Sequence, residues 1–324
     1  MIWILLDTVE GYPFIEQRLT MPCRKILSPQ KKSKYHTWIA GAWQASRQSK
    51  KGDTILAVYD FQGILCWIFG VLTMRRRNVL SINLLLKDKD TMRNKVATWL
   101  YRRAIHSPRF ATTVTSGAYS AWINRKLGTK IDFPLLRDVY YLTYEPATTP
   151  SKGDGSVFCG GRNSRDWPLM IEVAKRLPEV KFRFAMPLDS YHALKDSMPS
   201  NVEAAGEIPY DQFMEWINCS SVICMPLTTD APAGLITMFQ AAGYRKPIVA
   251  SYTVTSSEYL TPEHGYLLKS SEPEKWSAAI SEIMADYEKA LKKAETFHHY
   301  VSTQCSEQYY VSRIEEIIRT LGWA

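Results

Sequence analysis

Residues 221–251 have the sequence SVICMPLTTDAPAGLITMFQAAGYRKPIVAS. Its two short apolar stretches, Ser221–Met225 and Pro247–Ser251, are predicted to be strands. Ala233–Tyr244 lies between them and is predicted to be a helix. A helix that connects two buried strands indicates a parallel sheet with helical crossovers.

The same alternation of strands and helices extends over the whole chain. Further strands are predicted at Ile2–Leu6, Thr54–Tyr59, Asn78–Asn83, Thr112–Thr115, Val157–Cys159 and Lys181–Met186. Further helices are predicted at Gly63–Met74, Thr91–His106, Ala118–Leu127, Trp167–Leu177, Tyr210–Cys219, Glu272–Thr296 and Ser306–Leu321. The predicted fold is therefore α/β, with two doubly wound Rossmann-like domains. The longest apolar run, Gly63–Met74, is about half as long as a membrane-spanning helix needs to be, so none is expected.

The length and the distribution of charge both predict two domains. The chain has 324 residues, and its Pro- and Gly-containing stretch Glu145–Ser156 is interpreted as a linker. Residues 1–150 hold 23 Lys and Arg against 10 Asp and Glu, a net charge of +13, and the remainder holds 17 against 22, a net charge of −5. The basic half is suited to nucleic acid, to an anionic membrane surface or to a phosphorylated substrate.

The six cysteines have no C-x-x-C spacing and the histidines have no metal-type spacing, so no metal site is predicted.

Two glycines follow the predicted strand Val157–Cys159. Gly161 lets the backbone approach a ligand closely, and Arg162 and Arg165 offer bidentate contacts to phosphate. The alternative interpretation is a tight turn with surface arginines.

A second loop of small residues connects the strand that ends in Met225-Pro226-Leu227 to the next helix. The backbone N–H groups of Gly234, Leu235 and Ile236 and the helix dipole form an anion site suited to a diphosphate. Thr237 adds a hydroxyl, and Gln240 lies one turn further on the same face, where it is placed to reach a ribose. The alternative is an ordinary strand–loop–helix connection.

The order and spacing of these segments resemble a known family. A strand followed by Gly-Gly-Arg precedes Gly206-Glu-Ile-Pro-Tyr210, which is followed by Met-Pro-Leu, by Ala-Gly-x-x-Thr-x-x-Gln and by Lys-Pro-Ile-Val-Ala-Ser. This succession closely resembles the C-terminal domain of GT-B glycosyltransferases, in particular the GT4-like group of bacterial polysaccharide and lipopolysaccharide enzymes. A similar Met/Gln pattern occurs in the inverting bacterial glucuronosyltransferases.

The resemblance implies two domains that face a central cleft, with a nucleotide-sugar in the C-terminal domain and the acceptor in the N-terminal domain. It places the base near Ile208 and Tyr210, the diphosphate at Arg162, Arg165 and the loop Ala233–Thr237 after Pro226, and the ribose near Gln240. It also implies an N-terminal domain over residues 1–150, a C-terminal domain over 151–305 and a terminal helix, 306–324, that packs back on the N-terminal domain.

The sequence departs from the family in its acidic pair. The group's Glu-x7-Glu would fall at Pro232 and Gln240, neither of which is acidic, so both a retaining and an inverting mechanism stay open. Inversion requires a carboxylate that deprotonates the acceptor hydroxyl. Asp60, which follows a predicted strand, is the first candidate and Asp88 the second, while Asp7 also follows a strand; for each the alternative is a loop or helix-cap role.

Lysines and arginines lie beside several tryptophans in the basic half, a composition suited to the interface of an anionic membrane. The alternative for the Ile64–Met74 stretch is a buried crossover helix.

We therefore predict a glycosyltransferase that moves a sugar from a UDP- or GDP-linked donor to a lipid-linked or oligosaccharide acceptor of a surface glycan. It is expected to need neither metal nor cofactor, and to act in the cytoplasm at the inner face of the membrane. A nucleotide-binding pseudo-enzyme remains an alternative, and a nucleic-acid-binding protein is less favoured because no recognition motif is present.

Overall fold

The computed structural model describes the chain apart from five short segments. The described residues are 1–7, 12–75, 77–86, 91–140, 151–229 and 233–324, except for the side chain of Arg93. They divide into two units, one formed by Met1–Val139 with Glu307–Ala324 and the other by Tyr140–Ser306. Residues 145–150 of the predicted linker lie outside the described residues, whereas residues 151–156 are described.

The first unit is built on a parallel sheet, which has five strands within the described residues. These are β1 (Ile2–Leu6), β2 (Cys23–Leu27), β3 (Thr54–Ala57), β4 (Asn78–Ser81) and β5 (Phe110–Thr112). Their order in the sheet is β2-β1-β3-β4-β5, and Ile2 pairs with Cys23 on one side and with Thr54 on the other. A buried, fully parallel sheet explains why its central strands are almost continuously apolar.

Helices cover both faces of this sheet. They are α1 (Pro13–Arg18), α2 (Lys34–Gln48), α3 (Asp60–Leu72), α4 (Met92–Ala104), α5 (Gly117–Leu127) and, from the end of the chain, α13 (Glu307–Thr320). The connection through α1 moves along the sheet in the opposite direction from those through α2, α3 and α4. Because such crossovers are right-handed, α1 lies on one face and α2–α4 lie on the other. Helix α13 packs beside α1, and its apolar side chains Ile314 and Ile318 share a core with Ile4 and Leu6 of β1.

The second unit has a parallel sheet of six strands within the described residues. These are β6 (Val157–Gly160), β7 (Phe182–Met186), β8 (Val202–Gly206), β9 (Val222–Met225), β10 (Ile248–Ser251) and β11 (Tyr266–Leu268), in the order β11-β10-β9-β6-β7-β8. Its helices are α6 (Trp167–Arg176), α7 (Leu188–Leu194), α8 (Tyr210–Cys219), α9 (Leu235–Gly243), α10 (Ser256–Tyr259), α11 (Pro273–Ala285) and α12 (Tyr287–Gln304), with a short 3-10 turn at Lys195–Ser197. The chain direction along the sheet reverses between β6 and β9, which are neighbours, and this reversal defines the switch point where α/β proteins bind ligands.

The predicted α/β class with two doubly wound units is confirmed. Asp166 is the N-cap of α6 and accepts a hydrogen bond from the Leu169 N–H at 3.1 Å. The single helix predicted over Glu272–Thr296 is wrong: the chain forms α11 and α12, and Asp286 between them caps α12 through the Lys289 N–H at 3.1 Å. Among the helices that the structure describes, none is both long and apolar enough to cross a bilayer.

Candidate functional site

The loops after β6 and β9 lie side by side at the carboxyl edge of the second sheet, because the two strands are neighbours. Backbone hydrogen bonds join them: the Asp166 N–H donates to the Pro226 carbonyl at 2.8 Å, and the Thr228 N–H donates to the Ser164 carbonyl at 3.2 Å. The two loops predicted to hold the diphosphate therefore form one continuous structure.

Gly161 occupies a position that only glycine fits. Its φ of 133° lies in the region that other residues rarely adopt, and its N–H donates to the Ala185 carbonyl at 3.1 Å. A Cβ atom at this position would lie 2.6 Å from Nη2 of Arg165. The absence of a side chain on Gly161 is what allows the guanidinium of Arg165 to lie against the backbone.

Arg165 connects the two loops. Its Nε donates to the Gly160 carbonyl at 3.1 Å and its Nη1 to the Asn163 carbonyl at 2.8 Å, and its backbone pairs with Leu227. A Cβ on Gly234 would lie 3.3 Å from its Nη2. Burial lowers the pKa of this guanidinium, which nevertheless stays charged at neutral pH. Arg162, by contrast, is exposed.

Gly234 is the N-cap of α9 and has a left-handed φ of 79°, with no side chain to cap the helix. The first N–H groups of a helix have no intrahelical acceptor, so those of Leu235, Ile236 and Thr237 leave a positive end beside Arg165. The Ile236 side chain is 72% exposed, whereas those of Thr237 and Gln240 are buried. Ala233 is described directly before Gly234, but Asp230–Pro232 lie outside the described residues.

Ile208 and Tyr210, the predicted base contacts, follow β8 at the same edge of the second sheet. Glu207 has a positive φ of 54° and its N–H donates to the Met186 carbonyl at 2.9 Å, which fixes the turn. Ile208 packs partly against the core, and Tyr210 begins α8 with 43% of its surface exposed. An exposed aromatic ring beside an apolar side chain is suited to stack on a flat base.

Asp60, the first catalytic candidate, is the first residue of α3 and follows β3, which ends at Ala57. Its Oδ1 accepts a hydrogen bond from the Phe61 N–H at 2.7 Å and its Oδ2 accepts one from the Leu85 N–H at 3.1 Å. Burial and the Asp60 carboxylate together raise the pKa of Tyr101 well above its ordinary value. Asp88, the second candidate, lies outside the described residues.

Asp7, which the sequence also places after a predicted strand, lies among polar groups at the carboxyl edge of the first sheet. Asp7, directly after β1, is 8% exposed and accepts a hydrogen bond from Nε1 of Trp38 at 3.3 Å. The hydroxyl of Tyr59 lies beside the same carboxylate, and burial and this carboxylate raise the pKa of Tyr59. The position of Asp7 after a strand was the one signal of this arrangement in the sequence.

Asp138 and Asn83 form a second polar contact in the first unit. Asn83 has a positive φ of 46°, and the hydroxyl of Thr113 donates to its Oδ1 at 2.9 Å. Burial raises the pKa of Asp138 to about 6, although a hydrogen bond with Asn83 opposes the increase. No sequence pattern marked Asp138. Within the described residues, no three His, Cys, Asp or Glu side chains lie together as a metal-binding group.

The chain is similar to a glycosyltransferase family and to several solved structures. Residues 165–286 match the model of the family described as "Glycosyl transferases group 1". No curated protein sequence matches the chain significantly. HepE of Anabaena, in complex with UDP and glucose, has 14% identity and a TM-score of 0.72, with 98% of this chain and 99% of HepE covered. Sucrose-phosphate synthase from Thermosynechococcus elongatus has 12% identity and a TM-score of 0.70, with 99% and 88% covered. WaaG, a glycosyltransferase involved in lipopolysaccharide biosynthesis, has 12% identity and a TM-score of 0.65, with 98% and 99% covered.

The fold is GT-B, because the chain forms two doubly wound sheets and is similar to these structures over nearly its whole length. The match to the group 1 glycosyltransferase family covers residues 165–286, which is less than half of the chain. The resemblance to GT4-like glycosyltransferases is therefore confirmed.

Proposed function

We propose that this protein transfers a sugar from a nucleoside-diphosphate donor, with a UDP-sugar favoured, to a lipid-linked acceptor of a surface glycan. The observation that carries the proposal is the position of Arg165 between Gly161 and Gly234, at the N-terminus of α9. HepE, which is similar in fold, was solved with UDP and with UDP-glucose. The lipid-linked acceptor is supported by the basic N-terminal half and by the likeness to WaaG.

The donor binds through its diphosphate in this proposal. The guanidinium of Arg165 and the unpaired N–H groups at the start of α9 lie beside the same small space after β6 and β9. Together they neutralise two phosphates without a metal ion. They also stabilise the negative charge that develops on the diphosphate as the bond to the sugar breaks. The base lies between Ile208 and Tyr210, and the exposed Arg162 offers a further phosphate contact.

A thermal-shift panel of UDP, GDP, ADP and their sugars tests the donor site, because a ligand that binds the native state raises the unfolding midpoint. We expect UDP and UDP-sugars to raise the midpoint, with or without EDTA. Arg165→Ala should weaken UDP binding by roughly tenfold or more, since it removes a charge-assisted contact. Arg176→Ala is the matched control, because Arg176 pairs with Glu274 on the surface of the same unit.

The proposal fails if no nucleotide raises the midpoint of the wild-type protein, or if Arg176→Ala weakens binding as much as Arg165→Ala. Transfer assays with the bound donor complete the test. Nucleotide binding with neither donor hydrolysis nor transfer would identify a nucleotide-binding pseudo-enzyme of the same fold.

A further inference from the structure

Helices α2, α3 and α4 form one continuous layer on the first sheet, here called the α2–α4 face. The right-handed crossovers place all three on the side opposite α1 and α13. The rings of Trp43 on α2 and Phe69 on α3 lie 5.3 Å apart, and α4 packs beside α3. The outward side chains of these helices therefore form one surface.

This surface exposes an unusual number of large apolar side chains. On α2 and α4 they recur along one helix face, as Tyr35, Ile39 and Trp43 and as Met92, Val96 and Trp99. Val71 and Leu72 at the end of α3 and Met74 just after it are exposed as well. Leu72 is 71% exposed and Met92 is 76% exposed. Helical spacing of three and four residues produces a continuous stripe on α2 and another on α4, and exposed apolar stripes of this kind indicate an interaction surface.

The charge of the same surface has a single sign. Residues 17–52, 61–87 and 91–131 contain no aspartate or glutamate. Cations lie beside aromatic rings: the guanidinium of Arg103 lies 5.7 Å from the ring of the exposed Trp99, and Nζ of Lys34 lies 4.9 Å from that of the half-buried Trp38. On the other side of the sheet, Glu16 of α1 and Glu307 of α13 pair with basic residues. Within α2, α3 and α4 the one acidic residue is Asp60, whereas α1 and α13 each carry residues of both signs.

A groove of about 540 Å³ between α2 and α3 combines both properties. Lys31, Lys32 and His36 line it together with Ile39, Ala40, Trp43 and Phe69. Cationic groups beside an apolar wall are suited to an anionic lipid, whose headgroup and upper acyl chain need both kinds of contact. Nucleic acid would use the cations, but it offers no partner for exposed aliphatic side chains such as Leu72 and Val96.

We propose that the α2–α4 face binds an anionic lipid bilayer, with Trp43, Trp99 and the end of α3 inserted at the headgroup level and the lysines beside the lipid phosphates. The inference rests on the proposed function, because a lipid-linked acceptor lies in such a membrane. Each Lys or Arg near an anionic surface contributes on the order of 1 kcal/mol, so a surface with many of them binds without a spanning helix.

Flotation with two kinds of vesicle tests the proposal: phosphatidylcholine alone, and phosphatidylcholine mixed with phosphatidylglycerol. The protein should float only with the second, and added salt should release it. Lys31→Gln with Lys32→Gln should weaken binding at least tenfold, and Trp43→Ser should weaken it without changing its salt dependence. Lys292→Gln with Lys293→Gln, on α12 of the second unit, is the control of equal charge and should bind as the wild type does.

Equal binding to both kinds of vesicle, no binding to either, or an equal loss in the control would overturn the inference. Tighter, salt-dependent binding to RNA or DNA than to the anionic vesicles would assign the face to nucleic acid instead. The UDP thermal shift, measured without lipid, separates the two proposals. If it persists while flotation fails, only the membrane surface is wrong; if it is absent while flotation succeeds, the donor site is wrong.

Discussion

Asp60 and Asp138 are both at the carboxyl edge of the first sheet, but their surroundings differ. Both oxygens of Asp60 accept backbone N–H groups, which stabilises the ionised form. Asp138 is held by Asn83, and burial raises its pKa to about 6. A base acts best when its pKa lies near the working pH, so Asp138 is a further candidate for deprotonating the acceptor hydroxyl.

Asp60→Asn tests the base predicted from the sequence. We expect transfer to be lost and UDP binding to be unchanged, because the substitution removes a carboxylate from the unit that does not hold the donor. The UDP thermal shift and a transfer assay measure the two properties. Asp132→Asn, at an exposed aspartate of the same unit, is the control.

An active Asp60→Asn enzyme would exclude Asp60 and leave it as the residue that caps α3. In that case Asp138→Asn should abolish transfer, and the pH–rate profile of the wild type should fall as the pH drops below about 6, where Asp138 becomes protonated. Full activity of both variants would exclude both carboxylates.

For single residues, the sequence predicted the turns at Gly161 and Gly234, because these turns depend on the local backbone after a strand. Gly161 and Gly234 both have the positive φ that such turns require. The environment of Asp138 depends instead on a contact with Asn83, 55 positions earlier in the chain. Burial created by tertiary packing has no local pattern, and it could not be read from the sequence.

Among the elements, helix α9 is the one whose start carries the proposed site. Gly234→Ala places a Cβ at a φ of 79° and 2.7 Å from Cε of Met225, so we expect the free energy of unfolding to fall by about 1 kcal/mol or more. UDP binding should weaken as well, because the first N–H groups of α9 move. Denaturant unfolding and the UDP thermal shift measure the two effects.

Gly117→Ala is the matched control, since Gly117 is the first residue of α5 and nothing lies within 4 Å of a Cβ there. Alanine favours a helix over glycine, so this variant should be as stable as the wild type or slightly more so. A Gly234→Ala protein with unchanged stability and unchanged UDP binding would contradict the proposed role of the α9 terminus.

Elements with strong periodicity were predicted well, and α8 has the predicted bounds of Tyr210–Cys219. Strand β2 and helix α2 were missed, because Cys23–Leu27 contains two adjacent basic residues and α2 exposes apolar side chains beside its lysines. An edge strand and a helix with an outward apolar stripe both depart from the inward-apolar pattern used to find them. The departure in α2 is the same feature that marks the proposed membrane surface.

At the scale of the whole molecule, the last helix stabilises the unit in which the chain begins. Tyr310, Val311 and Ile314 of α13 are buried in the core that contains β1. The backbone N–H and the hydroxyl of Thr20 donate to Oε1 of Glu315 at 2.5 and 2.7 Å. Burial raises the pKa of Glu315, but the hydrogen bonds from Thr20 and Arg319 lower it more. The pKa therefore lies below its ordinary value, and the carboxylate is stabilised in its ionised form.

Ile314→Ala should therefore destabilise the first unit and not the second. Ile314 is fully buried, and removing its side chain leaves a cavity that costs about 2 to 4 kcal/mol. Hydrogen exchange should accelerate in β1–β5 while β6–β11 keep their protection, and the UDP thermal shift should persist. Glu316→Ala, at the exposed neighbour on the same helix, is the control and should exchange like the wild type. Accelerated exchange in β6–β11 alone, or in both sheets equally, would show that the terminal helix does not act through the first unit.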